Sequence, residues 1–164
     1  MSPDLNISSL LGRLSGAGVD FVVIGGIAVI AHGYERNTKD LDICYSPERA
    51  NLEALGAVLL ELNARLRGIE DEVPFVPDAR TLQRTQMLTL DTDEGGLDLL
   101  VRPDGSPAYD ALKARAERIE FDRFEILIAS IEDLLAMKRA ANRAQDQADV
   151  EALTAIQRLR RPPG

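Results

Sequence analysis

The sequence has little cysteine, no tryptophan and too few basic residues to balance the acidic ones. Its 164 residues include one cysteine, and 27 Asp and Glu against 19 Lys and Arg give a formal net charge of −8. The single cysteine, Cys44, cannot form an internal disulfide, which is typical of a protein in a reducing compartment. The acidic balance argues against a globally basic protein that coats nucleic acid.

Long apolar runs are also missing. The longest nearly apolar stretch, residues 21–31, is shorter than the roughly 20 residues of a membrane-spanning helix, and Gly25-Gly26 interrupts it. The N-terminus lacks the basic segment and the apolar run of a signal peptide. We therefore expect one cytoplasmic domain without membrane contact, in which 45% apolar residues build a single core.

Hydrophobic periodicity predicts an α+β chain in which strands and helices do not strictly alternate. A β-branched and aromatic run predicts a buried strand, and period-two alternation predicts another with one polar face. Turn-forming residues at 91–96 predict a β-hairpin in the middle of the chain. The predicted strands are 21–24, 40–44, 86–90, 97–101 and 124–128, and the predicted helices are 7–14, 27–32, 47–63, 108–118, one capped by Ser130, and 145–159.

Asp40 and Asp42 lie two residues apart in the second predicted strand, so their side chains share one face. With a rise of about 3.3 Å per residue their Cα atoms are about 6.6 Å apart, and both carboxylates can reach one cation. Leu41 and Ile43 point to the core and fix the register. The alternative is an ordinary strand with a solvated face, although Asp is a poor strand former and like charges repel.

Asp98 stands among aliphatic neighbours in the predicted strand 97–101. A charge in such a strand is costly unless it is paired or bound to a metal. Three aspartates on neighbouring strands suit Mg²⁺, a hard cation that prefers oxygen ligands. The alternative is a salt bridge from Asp98 to a distant arginine.

Gly25-Gly26 follows a predicted buried strand and opens a predicted helix. Backbone amides at such a helix start can hold a phosphate, and the missing side chains let it approach. The alternative is that this turn needs glycine only for packing.

This combination resembles the signature of the polymerase-beta-type nucleotidyltransferase superfamily and, more narrowly, of the bacterial branch with the AbiEii-like toxins of type IV toxin–antitoxin systems. The similarity extends from about residue 20 to residue 153. Where the family pattern usually has a basic residue before the first aspartate of the last helix, this chain has Gln145. The matching residues are Ile24-Gly25-Gly26-Ile27-Ala28, His32-Gly33, Arg36, Thr38-Lys39-Asp40-Leu41-Asp42, Asp98, Lys138, Arg143, Asp146 and Asp149.

The resemblance implies a minimal nucleotidyltransferase fold, with a mixed sheet, helices packed on one side and a helical C-terminal part. Residues 1–128 would form the catalytic core, and helices in 129–164 would pack on it within one compact domain. Asp40, Asp42 and Asp98 would bind two Mg²⁺ ions, or Mn²⁺, and carry catalysis. The nucleotide would be bound by Gly25, Gly26, Arg36, Thr38 and Lys138, with Arg143, Asp146 and Asp149 in support.

Helical periodicity agrees with part of this assignment. Lys138 shares a stripe with Ile131 and Leu135, so it should lean toward a cleft, unless it is a surface lysine whose ammonium reaches solvent. Asp149 shares a stripe with apolar residues and needs a partner, either Arg143 or Lys138. We expect His32 to make a structural hydrogen bond outside the catalytic set and Cys44 to be buried and inert.

The expected reaction transfers a nucleoside monophosphate from an NTP to an acceptor hydroxyl and releases pyrophosphate. The resemblance implies a toxin-like enzyme that modifies tRNA or a protein and could have a cognate antitoxin; the alternative is an aminoglycoside or lincosamide acceptor, as in the related antibiotic-modifying branch. Four arginines, at 65, 67, 80 and 84, could form a local patch for nucleic acid. The alternative class is a catalytically silent partner protein with the same fold.

Overall fold

The computed structural model describes residues 4–68 and 75–160. In these residues one mixed sheet of seven strands is accompanied by seven helices. The strands are β1 (Phe21–Ile24), β2 (Asp40–Tyr45), β3 (Arg65–Leu66), β4 (Met87–Thr92), β5 (Gly95–Leu100), β6 (Glu117–Phe121) and β7 (Phe124–Ile128). The helices are α1 (Ile7–Gly16), α2 (Gly25–Ala31), α3 (Arg49–Glu61), α4 (Ala79–Arg84), α5 (Tyr109–Arg115), α6 (Ile131–Ala141) and α7 (Ala144–Arg160).

The strand order is β3-β4-β5-β2-β1-β7-β6. Strand β1 lies between β2, to which it is antiparallel, and β7, to which it is parallel. Strands β2 and β5 are parallel. The predicted mixed sheet and α+β class are confirmed.

The core surrounds the central strands. All four residues of β1 are buried, which explains its uninterrupted apolar sequence. In β2, Leu41 and Ile43 are fully buried, whereas Asp40 and Asp42 on the other face are partly exposed. The predicted division of this strand into a core face and a polar face is confirmed.

The central hairpin is tighter than predicted. Strand β4 continues to Thr92 and β5 already begins at Gly95, so only Asp93 and Glu94 form the turn. The predicted connection 91–96 was therefore wrong at both ends. Gly95 has φ +112°, which favours glycine, and the Thr92 hydroxyl donates a hydrogen bond to the Gly95 carbonyl.

A second hairpin, β6-β7, was missed. The helix predicted at 108–118 ends at Arg115, and residues 117–121 form a strand that pairs antiparallel with β7. Charged residues hid this edge strand, because a solvated edge lacks a strong apolar signal. The short elements β3 and α4 were also missed within a predicted loop, where Asp78 caps α4 by accepting from the Thr81 amide.

Other helix boundaries differ from prediction by a few residues. Helix α1 continues through Gly12 to Gly16 instead of ending at residue 14, and α2 begins at Gly25 instead of residue 27. Helix α3 covers Arg49–Glu61 instead of 47–63. No helix in residues 4–68 and 75–160 is long and apolar enough to cross a membrane.

The two last helices, α6 and α7, pack against each other as a hairpin. Ser130 caps α6 as predicted, since its hydroxyl accepts from the Asp133 amide at 3.1 Å. Asn142 ends α6 in the left-handed conformation, and α7 starts two residues later. This tight reversal brings the last turn of α6 against the first turns of α7.

Candidate active site

Three aspartates converge on adjacent parallel strands. Asp42 on β2 is the register partner of Asp98 on β5, and Asp40 is the partner of Gly96. The hydrophobic alternation of both strands places all three carboxylates on the same side of the sheet. The predicted grouping of Asp40, Asp42 and Asp98 is therefore present.

Gly25 lies directly against this group. It has φ +67° at the junction of β1 and α2, and a Cβ there would collide with the Asp42 carboxylate. Gly26 packs on Thr38, whose Oγ1 would lie 2.9 Å from an added Cβ. The two glycines thus let the start of α2 approach Asp42 and the loop before β2.

Burial and neighbouring charges shift the pKa values of two of these carboxylates. Burial and the neighbouring carboxylates of Asp98 and Asp40 raise the pKa of Asp42 to about 7, although Lys138 opposes this. The pKa of Asp98 is also raised, chiefly by burial, while the Arg67 guanidinium lowers it. Asp98 Oδ1 is buried and receives no well-directed hydrogen bond from the described residues. This group of anions therefore favours a bound proton or cation.

Arg67 supplies one such cation. Its Nη2 lies 3.0 Å from Asp98 Oδ1 and 3.3 Å from Asp40 Oδ1, at the end of β3. The alternative prediction for Asp98, a salt bridge to a distant arginine, is thus realised in this structure. Arg67 had been grouped with Arg65 as a surface patch, but its side chain is only 30% exposed.

In the described part of the chain no three histidine, cysteine or acidic side chains are arranged as the ligands of one metal ion. The three aspartates nevertheless offer the hard oxygen donors that Mg²⁺ prefers. Asp98 Oδ1, buried without a directed hydrogen bond from those residues, is the kind of atom that a cation would satisfy. The chemistry of the donors fits a divalent cation, and Arg67 lies between two of them.

Buried ion pairs connect α6 and α7 with the loop before β2. Lys138, 7% exposed, lies 3.3 Å from Asp146 and 3.0 Å from Asp149, both of which are 1% exposed. Asp149 also accepts a 2.5 Å hydrogen bond from Arg36. The predicted pairing of Asp149 with Lys138 is confirmed, whereas Arg143 pairs with Asp146 instead.

Cationic partners lower the pKa of Asp146. Burial alone would raise the pKa of Asp146, but hydrogen bonds from Arg143 and the charge of Lys138 lower it below its usual value. Gln145, at the position where the family pattern has a basic residue, places its side-chain amide against the Arg36 guanidinium. The ion pairs of Lys138 and Arg36 with the aspartates of α7 thus fix the position of these two cations relative to the sheet.

Two cavities meet at Asp42, Lys138 and Arg143. The first, which we call the cationic cavity, has a volume of about 340 Å³. Its walls are formed by Gly26, Arg36, Asn37, Thr38, Lys39, Asp40, Asp42, Asp98, Lys138, Arg143 and Gln145.

The second, which we call the apolar-walled cavity, has a volume of about 360 Å³. It is lined by Ile24, Gly25, Asp42, Gln86, Met87, Leu100, Arg102, Pro103, Asp104, Leu134, Met137, Lys138, Ala141, Arg143 and Asp146. Every predicted site residue except Asp149 lines one or both cavities, and Asp149 holds Arg36 and Lys138 from behind.

His32 and Cys44 take structural places. The buried His32 ring donates from Nε2 to the Ala129 carbonyl at 2.8 Å, and its Nδ1 lies 3.1 Å from Glu117. Cys44 is buried in β2, and burial raises the pKa of its thiol to about 12, so it stays protonated at neutral pH.

Sequence reasoning missed the residues that converge from distant segments. Arg67 is 27 residues from Asp40 and 31 from Asp98, and the partnership of Arg36 with Asp149 spans 113 residues. The polar-apolar alternation of Arg65-Leu66-Arg67 was the one sequence feature that indicated a strand near Arg67. Strand β3 has only two residues, which are too few for a recognisable strand pattern.

Neither known protein families nor curated proteins match this sequence, but solved structures match the fold. Lincomycin-bound LnuA, a lincosamide antibiotic adenylyltransferase, aligns with a TM-score of 0.65 at 17% identity over 94% of this chain and 99% of that chain. ANT(2″)-Ia in complex with adenylyl-2″-tobramycin aligns with a TM-score of 0.58 at 13% identity over 94% and 92%. A nucleotidyltransferase-like protein of Paracoccidioides brasiliensis gives 0.55 at 18% identity over 96% and 76%. The chain has the nucleotidyltransferase fold.

The raised pKa of Asp42 gives a pH-dependent stability. Between about pH 4 and pH 7 Asp42 binds its proton in the folded chain and not in the unfolded chain, so the contribution of Asp42 to stability in EDTA falls as pH rises. Asp42→Asn should flatten this dependence and raise Tm at pH 8 by about 3 °C or more. Calorimetry in EDTA tests this, with Glu151→Gln, an exposed carboxylate on α7, as the control. A lower Tm for Asp42→Asn than for wild type would contradict the repulsion.

Removal of Lys138 should destabilise the chain strongly. Lys138→Met would leave Asp146 and Asp149 buried with one cation fewer, which costs about 3 kcal/mol of unfolding free energy. Arg139→Met, at the exposed neighbouring position, should change it by less than about 0.5 kcal/mol. Urea denaturation measures both, and equal losses would show that the buried pairs contribute nothing specific.

Proposed function

We propose that this chain is a nucleotidyltransferase that moves a nucleoside monophosphate from an NTP to a hydroxyl group of a small-molecule acceptor. The observation that supports the proposal most directly is the position of the three aspartates relative to the two cavities. Asp42 lies where the cationic cavity and the apolar-walled cavity meet, and Asp40 and Asp98 line the cationic cavity. A donor and an acceptor held in these two cavities would meet at the carboxylates.

The cationic cavity suits a triphosphate. Arg36, Lys39, Lys138 and Arg143 bring positive charge to its walls, and cationic side chains bind phosphate oxygens strongly. The amides of Gly25 and Gly26 at the start of α2, with the Thr38 hydroxyl nearby, supply further donors. We assign the nucleotide to this cavity.

Asp40, Asp42 and Asp98 would hold Mg²⁺ or Mn²⁺. When bound, such a cation would neutralise the carboxylates and lower the pKa of the acceptor hydroxyl. The buried Asp98 Oδ1, without a directed hydrogen bond from the described residues, and the pKa values of Asp42 and Asp98, both raised chiefly by burial, support this assignment.

In the proposed reaction, side chains of this protein position the reacting groups and stabilise the charge that develops on them. The bond from the acceptor oxygen to the α-phosphorus forms as the bond from that phosphorus to the bridging oxygen breaks, and pyrophosphate leaves. Asp98, which lines the cationic cavity, would accept the hydroxyl proton or hold the cation in position. Lys138 and Arg36 stabilise the negative charge that develops on pyrophosphate, and their buried partners keep them in place.

The apolar-walled cavity suits a small acceptor. Leu100, Leu134 and Met137 form apolar walls, and Arg102 and Asp104 add polar groups that could orient hydroxyls. Its volume is in the range of small-molecule sites. A compact molecule that has both an apolar part and a hydroxyl fits these walls, and the two neighbours LnuA and ANT(2″)-Ia were solved with lincomycin and with adenylyl-2″-tobramycin.

A macromolecular acceptor is the second candidate. Arg49, Arg80 and Arg84 line a cavity between α3 and α4, and Arg84 lies two residues before Gln86 in the apolar-walled cavity. Such a group of arginines could bind the phosphates of a tRNA end. This candidate agrees with the sequence resemblance to AbiEii-like toxins, which act on tRNA or protein and imply a cognate antitoxin.

Transfer of label from α-labelled ribonucleoside triphosphates tests the function. Each of the four triphosphates is incubated with Mg²⁺ or EDTA and with lincosamides and aminoglycosides, total tRNA, or the protein alone. We expect label on a small molecule that depends on Mg²⁺, on Asp42 and on Asp98. Label on tRNA or protein would select the second candidate instead.

The matched variants are Asp42→Asn and Asp98→Asn against Asp93→Asn in the hairpin turn. The first two should lower the transfer rate at least about 100-fold while the circular dichroism spectrum is unchanged. Asp93→Asn should retain activity, because Asp93 contacts Arg65 and Asn63 away from the cavities. Full activity of Asp42→Asn would remove Asp42 from the mechanism, and no label with any acceptor would oppose the proposed reaction.

A further inference from the structure

Arg67 is held at the aspartates by four separate contacts. Its Nη2 lies 3.0 Å from Asp98 Oδ1 and 3.3 Å from Asp40 Oδ1, and it donates to the Leu90 carbonyl at 2.8 Å. Its Nε donates to Asp91 at 3.1 Å. These groups belong to three strands, β2, β4 and β5, so the guanidinium is held in one place instead of moving freely in solvent.

Its backbone is fixed as well. The Arg67 amide donates to the Thr89 carbonyl at 3.0 Å, so the residue continues the pairing of β3 with β4. At the facing position of β5, a Cβ on Gly96 would lie 2.7 Å from Arg67 Nη2 and would collide with Asp40 Oδ1. Glycine at 96 therefore leaves the space in which the guanidinium meets Asp40.

The oxygens that Arg67 contacts are those that a cation would need. Asp40 Oδ1 and Asp98 Oδ1 both face the same guanidinium nitrogen, and Asp98 Oδ1 is buried. A guanidinium and a divalent cation cannot occupy the same space between two carboxylates. When the guanidinium contacts those two oxygens, a divalent cation cannot bind them, and a bound cation excludes the guanidinium in the same way.

We propose that Arg67 is a positioning residue that holds Asp40 and Asp98 together and competes with a divalent cation for them. The proposal rests on the proposed function only for the assignment of the three aspartates to a cation. Arg67 would keep the carboxylates from repelling one another and would withdraw from them when the cation binds. The guanidinium thereby lowers the affinity of the site for a cation, because Arg67 must leave Asp40 and Asp98 before the cation can bind them.

Mn²⁺ binding to the full chain tests this competition, measured as free Mn²⁺ by electron paramagnetic resonance. Arg67→Gln should bind Mn²⁺ about tenfold more tightly than wild type, because an opposing charge is removed from the ligands. Arg65→Gln is the matched control, since it removes the same charge from an exposed position two residues away that pairs with Asp93. We expect this control to stay within about twofold of wild type.

Thermal unfolding provides a second measure. In EDTA, Arg67→Gln should have a lower Tm than Arg65→Gln, and Mn²⁺ should raise its Tm by more than it raises that of wild type. If Arg67→Gln does not fold in EDTA, Arg67→Lys takes its place. One ammonium cannot reproduce the contacts made by both Nη2 and Nε, so Arg67→Lys should bind Mn²⁺ more tightly than wild type.

The outcomes separate this inference from the proposed function. Mn²⁺ binding by Arg67→Gln, or by Arg67→Lys where that variant is used, that is no tighter than by wild type overturns the competition and leaves the transferase proposal standing. Tight binding by the variant where wild type binds weakly supports the competition. Failure of every variant to bind Mn²⁺ at millimolar concentration overturns both the competition and the metal assignment.

Discussion

Repulsion among three carboxylates on two adjacent parallel strands is the constraint to which the rest of this structure responds. Asp40, Asp42 and Asp98 are brought together by the pairing of β2 with β5, and burial together with a neighbouring carboxylate raises the pKa of Asp42 and of Asp98. Cations approach from two directions, Arg67 from the sheet edge and Lys138 from α6. The sheet holds the three carboxylates close together, and the surrounding elements bring positively charged side chains toward them.

The helical hairpin at the C-terminal end has a role beyond covering the sheet. Its reversal at Asn142 lets Lys138 face two buried aspartates of α7, and one of these also binds Arg36 from the loop before β2. A buried ion pair adds little stability by itself, but loss of one partner is costly. These pairs therefore fix where cationic groups stand relative to the carboxylates, which is what binding of a charged substrate requires.

Much of the site could be predicted from local sequence, because its elements have short-range signals. The strand Phe21–Ile24, the Gly25-Gly26 junction and the alternation at Asp40 and Asp42 were read correctly from periodicity and glycine placement. The edge strand β6 and the contacts of Arg67 were not, because they depend on tertiary pairing. A charged edge strand and a cation that reaches across β4 leave almost no pattern in the linear sequence.

Anomalous diffraction from crystals grown with Mn²⁺ and a non-hydrolysable NTP analogue tests the central claim most directly. We expect a manganese peak within about 2.5 Å of carboxylate oxygens of Asp42 and of Asp40 or Asp98. The analogue's phosphates should lie in the cationic cavity beside Lys138, with Arg67 displaced from Asp40. A nucleotide bound elsewhere, or manganese with no contact to these aspartates, would contradict the assignment of the active site.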